Sequence, residues 1–96
     1  MKIEIDRLIG VQTVTAPSIH AWRKEPGDGF KAIRAAAQLA KSRGFNMVVV
    51  LGNSYMQTVY HIGKETDDLR TYTFDPNPTV YLVTPEGQVF LARASK

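Results

Sequence analysis

Apolar and polar residues alternate where the chain begins. Ile3 and Ile5 share a parity with Ile9, Val11 and Thr13, while Lys2, Glu4 and Asp6 take the other. That is the period of a half-buried strand, so 2–14 reads as one long or broken strand, with Gly10 as a bulge or bend. Residues 16–23 either open a short helical turn, with Pro17 in its first turn, or cross the core as a loop. After the turn Glu25-Pro26-Gly27-Asp28-Gly29 the period lengthens. Phe30, Ile33, Ala36, Ala37 and Ala40 fall on one side of a helix turning about 100° per residue, and Lys31, Arg34, Gln38 and Lys41 fall on another. Asp28 is placed to cap the N-terminus and Gly44 to end the helix, which spans about 29–43.

Beyond Gly44 the chain returns to strands. Residues 45–51 are apolar and rich in valine, Gly52-Asn53 is a two-residue hairpin signal, and 54–62 resumes as a strand. This predicts Leu51 opposite Ser54, Val49 opposite Met56 and Met47 opposite Thr58. Residues 63–69 read as a polar loop and 70–74 as a further strand. Residues 79–83 and 88–92 flank Thr84-Pro85-Glu86-Gly87, whose proline and glycine sit where a type I turn favours them. The expected architecture is α+β: a two-layer sandwich, one helix packed on a mostly antiparallel sheet of four to five strands, in the order β-α-β-β-(β)-β-β and running as a meander. The segments 47–51 and 80–83 are apolar on both parities, which asks for cover on both sheet faces. One helix covers one face. Either residues 1–23, with Ile19 and Trp22, cover the other, or a second copy does, and the expectation is a homodimer or larger symmetric assembly.

Composition narrows the class. The chain has 96 residues, enough for one core, so a single domain over 1–96 is expected. Hydrophobic residues make up 44% and charged residues 22%, the balance of a globular protein. Cysteine is absent, which removes disulfides, thiolate metal sites and thiol nucleophiles and makes a reducing compartment the default. The alternating start is unlike a signal peptide, and 47–51 falls well short of the roughly 20 apolar residues of a membrane span, so the expectation is a cytoplasmic protein without membrane contact. The net charge of +3 is unevenly spread: 29–64 holds Lys31, Arg34, Lys41, Arg43 and Lys64 and no acid.

Pro78-Thr79-Val80-Tyr81-Leu82-Val83, followed by Pro85-Glu86-Gly87-Gln88-Val89, resembles the proline, strand, turn, strand ending of thioredoxin-like domains. The active-site cysteines of that family are missing and nothing after Ala92 matches its terminal helix, so the resemblance implies no activity here.

Candidate chemistry is sparse. His20 and His61 are the two groups suited to acid or base work near neutral pH. On one strand Ser54 and His61 would stand more than roughly 20 Å apart and on opposite faces, which excludes a dyad. His20 lies near Ser18 without an orienting carboxylate established by spacing. Glu65, Asp67 and Asp68 lack the calcium-loop pattern, and no cofactor or metal is called for. Gly63-Lys64-Glu65-Thr66 lacks the upstream glycine and the hydroxyl residue after lysine that a phosphate loop needs. The strip Lys31, Arg34, Gln38 and Lys41 is the feature with a definite consequence, because acid-free cations on one helix face attract anions. Tyr55 and Tyr60, and further along Tyr72 and Tyr81, are candidate stacking surfaces, with His61 beside them.

Three readings follow. The first is a non-catalytic binding protein that self-associates through a sheet face and presents a sheet face or edge to a protein partner. The second is a nucleic-acid binder using the basic strip. The third is a small enzyme or ligand carrier with a pocket between helix and sheet near His61.

Overall fold

A computed structural model describes residues 2–11, 27–54, 57–67 and 77–95. The elements are β1 (Lys2–Val11), α1 (Gly27–Arg43), β2 (Met47–Ser54), β3 (Gln57–Lys64), β4 (Thr79–Val83) and β5 (Gln88–Ser95). Among the described residues, one helix packs against a five-stranded antiparallel sheet, the α+β class that the pattern predicts.

The alanine stripe explains the helix. Ala32, Ile33, Ala36, Ala37 and Ala40 are all buried, and their small side chains let α1 lie close to the strands. The helix begins at Gly27, ahead of the expected start, so Asp28 lies within it and not at the position before it. At the other end Gly44 takes φ 78° and donates its N–H to the Ala40 carbonyl at 2.8 Å, the left-handed stop the sequence signals.

The strand order is β1-β5-β4-β2-β3, which corrects the meander: β4 pairs with β2, not with β3. β2 and β4, the two apolar ribbons, therefore sit inside the sheet, where residues of both parities are buried. The hairpin β2–β3 also differs from expectation. Leu51 faces Tyr60, Val49 faces Ile62 and Met47 faces Lys64, and the last pair is Ser54 with Gln57. Gly52-Asn53 is not the turn. Gly52 is buried and pairs with Val59, so the strand runs through it and Gly63 and Lys64, expected in a loop, join β3. The second hairpin matches its signal. Gly87 donates to the Thr84 carbonyl at 2.9 Å, Gly87 adopts φ 88°, and Thr84 donates to the Gln88 carbonyl at 2.9 Å, a type I turn with a glycine bulge. The expected strand at 70–74 and the segment 12–23 lie outside the described residues.

The sheet separates two apolar sets. On the α1 side Met47, Val49, Leu51, Tyr81, Val83 and Val89 join the helix alanines, with Ile9, Leu39, Phe45, Ile62 and Leu91 around them. On the opposite side Val48, Val50, Val80, Leu82 and Ala92 form a second cluster, with Ile3 and Phe90 packed against it. This second cluster is 0–5% exposed within a single chain. Its centre therefore needs no second copy to close it, which removes the burial argument for a dimer across that face.

β1 departs from its simple alternation. Its register against β5 slips between Ile5 and Arg7 and again between Leu8 and Gly10, leaving Asp6 and Ile9 as extra residues. Ile9 consequently packs on the α1 side, although Ile3 packs on the other. α1 rests chiefly on β2, β3 and β4, so the helix sits off-centre and the β5–β1 end of the sheet extends beyond it.

Candidate functional site

The basic strip lies where its period puts it. Lys31, Arg34, Gln38 and Lys41 are all exposed on the outer face of α1, with Ser42 and Arg43 continuing the exposed surface. The helix turns its alanines to the sheet, and the cations necessarily point away from it. Arg34 also has an interaction partner within the chain.

The residues around His61 do not converge. His61 pairs with Val50, whose side chain belongs to the cluster opposite α1, whereas Tyr60 pairs with Leu51 on the α1 side. Neighbours on a strand face opposite ways, so Tyr60 and His61 cannot line one pocket, and His61 does not lie between helix and sheet. Tyr60 is 40% exposed and His61 is half-buried with a partner of its own. Tyr81 is a core residue at 1% exposure and offers no stacking surface. Tyr55, Tyr72, His20 and Ser18 lie outside the described residues.

A recess of about 310 Å³ opens where α1 gives way to β2, lined by Phe45, Asn46, Lys64, Glu65 and Thr66. Four of its lining side chains are engaged with one another in pairs. The Asn46 amide donates to Glu65 Oε1 at 2.9 Å, and the Lys64 ammonium stands 4.9 Å from the centre of the Phe45 ring. The Lys64 backbone N–H donates to Asp67 Oδ2 at 2.9 Å. Glu65 thus accepts from the Asn46 side chain and Asp67 from the turn backbone, and among the described residues no group of three or more His, Asp or Glu side chains is placed to hold a metal ion. Lys64 closes a strand and is followed by a turn, not by the helix a phosphate loop requires. Among the described residues, no helix is long and apolar enough to cross a membrane.

The β1 margin was not singled out from sequence. Among the described residues β1 is an edge strand, paired only with β5. Ile5 and Leu8 are 54% and 50% exposed, the most exposed large apolar side chains of the described chain. Ile5 stands opposite Ala92, and Leu8 opposite Phe90. Both therefore share the face of the second cluster, beside half-buried Ile3 and Phe90. The bulge at Asp6 is responsible. Ile5 and Leu8 are three residues apart and would face opposite ways on a regular strand, but the extra residue turns them to the same side.

Comparison with known proteins leaves the assignment to this geometry: no family model matches the chain, and no curated protein or solved structure matches it.

Proposed function

We propose that the protein is a non-catalytic interaction protein that self-associates through the β1 margin of its sheet. The observation that carries this reading is the pair Ile5 and Leu8, 54% and 50% exposed on a strand whose outer edge has no described neighbour. Water-facing isoleucine and leucine each forgo roughly 1–1.5 kcal/mol of the burial free energy available to them. An edge strand adds unpaired backbone donors and acceptors beside them. Together they favour a partner that supplies both a strand and an apolar surface. Light scattering over a hundredfold range of protein concentration tests the reading. Reversible dimerisation is expected, and Leu8→Lys should abolish it while leaving the thermal midpoint of the isolated chain within a few degrees. A wild-type chain that stays monomeric throughout would end the proposal.

A second reading rests on the exposure of Lys31, Arg34, Gln38 and Lys41 on one helix face. Such a strip would bind nucleic acid through its phosphates, with affinity falling steeply as salt rises. Reversing Lys31, Arg34 and Lys41 to glutamate and measuring binding to single- and double-stranded nucleic acid at two salt concentrations decides it. An affinity indifferent to both changes would dismiss this reading.

A further inference from the structure

The β1 margin is self-complementary, and its complement can be written residue by residue. Glu4 faces Arg93 across β5, and Arg7 faces Leu91, so Glu4 and Arg7 both project on the α1 side of the sheet. Ile3 faces Ala94 and Leu8 faces Phe90, which places both on the opposite side. Arg7 has no acid opposite it on β5, and Glu4 through Leu8 are all exposed.

Consider a second copy of β1 laid antiparallel along the first, with the two-fold axis perpendicular to the sheet between Ile5 and Asp6. Glu4 then stands opposite Arg7 of the second copy, and Arg7 opposite Glu4. Ile3 stands opposite Leu8, and Leu8 opposite Ile3. Every one of these pairs lies on a single face in both copies, which a strand without the Asp6 bulge could not achieve. Shifting the register by one residue puts Glu4 beside Asp6 or Leu8, and the match is lost. Charged edges and bulges normally deter a strand from adding to arbitrary neighbours. In this pattern they deter other strands and accept their own copy, because the charges cancel only in the two-fold arrangement.

The geometry points to a two-fold dimer in which β1 pairs antiparallel with β1 of a second copy, Glu4 against Arg7 and Ile3 against Leu8, joining the two sheets into one with both helices on the same face. This rests on the self-association proposed above and specifies its mode. A single pair of joined edges is a small interface, so the association is weak and reversible.

Sedimentation equilibrium of the full chain provides the test. Each single reversal, Glu4→Arg or Arg7→Glu, places like charges opposite one another twice by symmetry and should raise the dimer Kd roughly tenfold. The double reversal, Glu4→Arg with Arg7→Glu, restores both pairs and should return Kd to within about threefold of wild type. A dimer that ignores the single reversals, or that the double reversal fails to restore, would overturn the register while leaving self-association standing. A wild-type chain that never dimerises would overturn both. Because the chain has no cysteine, a second measurement is available that does not depend on affinity. Under mild oxidation, Glu4→Cys mixed with Arg7→Cys should form the mixed disulfide in preference to either like pair, since opposed residues lie within disulfide reach. Preferential Glu4→Cys homodimers would contradict the assignment.

Discussion

Val49 and Val50 are neighbours on β2, face opposite sides of the sheet, and are both 0% exposed in the single chain. That equality is a strong statement, because the sequence pattern permits a chain in which one of the two faces waits for a partner. Truncation to alanine separates the cases. Each Val→Ala change removes the transfer free energy of two methylene equivalents, about 1.6 kcal/mol, and leaves a void of about 40 Å³ that adds about 1 kcal/mol. Val49→Ala and Val50→Ala should therefore each cost about 2.5 kcal/mol. With a urea dependence of about 1 kcal/mol per molar for a domain of this size, both midpoints should fall by about 2.5 M. The assay is urea unfolding followed by circular dichroism at two protein concentrations tenfold apart. A Val50→Ala variant within about 0.5 kcal/mol of wild type, beside a damaged Val49→Ala, would refute closure of the second face. So would a midpoint penalty for Val50→Ala that vanishes on dilution, since the buried surface would then belong to an assembly.

The helix allows two sharper contrasts. Ala36 is 0% exposed against the sheet, so Ala36→Leu should overpack that contact and cost about 1–3 kcal/mol in thermal unfolding, whereas Gln38→Leu on the exposed face should stay within about 0.5 kcal/mol. At Gly44 an added Cβ would meet nothing within 4 Å, so Gly44→Ala should cost only the left-handed conformation at φ 78°, about 1 kcal/mol, with Gly44→Asn losing less. A loss well above 2 kcal/mol for Gly44→Ala would show that something other than backbone conformation is at stake there.

What the sequence disclosed and what it concealed divide along the distance over which each feature is decided. The helix is written locally, in the spacing from Ile33 to Ala40 and the stop at Gly44, and the basic strip is legible with it because both follow from one period. The hairpin at Thr84 is equally local, since proline and glycine set their own dihedrals. Gly52-Asn53 carries the same local signal and yields no turn. There the longer ladder prevails: extending β2 to Ser54 sets the register in which Leu51 pairs with Tyr60 and Val49 with Ile62. The apolar run of β2 correctly announced burial on both faces, but not what would provide it, because that depends on strand order. The β1 margin was the least legible. Its apolar row is assembled by an extra residue at Asp6, and nothing in the composition of Asp6-Arg7 announces a bulge as Gly10 does.

Strand order also explains why β1, and not β3, is the edge to which a partner is assigned. The sheet has two ends, and α1 rests over β2, β3 and β4, so the β3 end is thick and its Ile62 is packed beneath the helix. The other end overhangs. β5 contributes Phe90 and Ala92 to a cluster that is closed at its centre, and β1 carries the same surface outward to Ile5 and Leu8, where closure stops. Stability and association are therefore assigned to different residues of one continuous apolar face: Val48, Val50, Val80 and Leu82 hold the chain together, and Ile5 and Leu8 remain to be covered. In the proposed dimer, a chain built this way would fold without its partner and lose little by releasing it. A weak edge contact with an exacting register is consistent with such a division, because selectivity there comes from the placement of Glu4 and Arg7 and not from buried area.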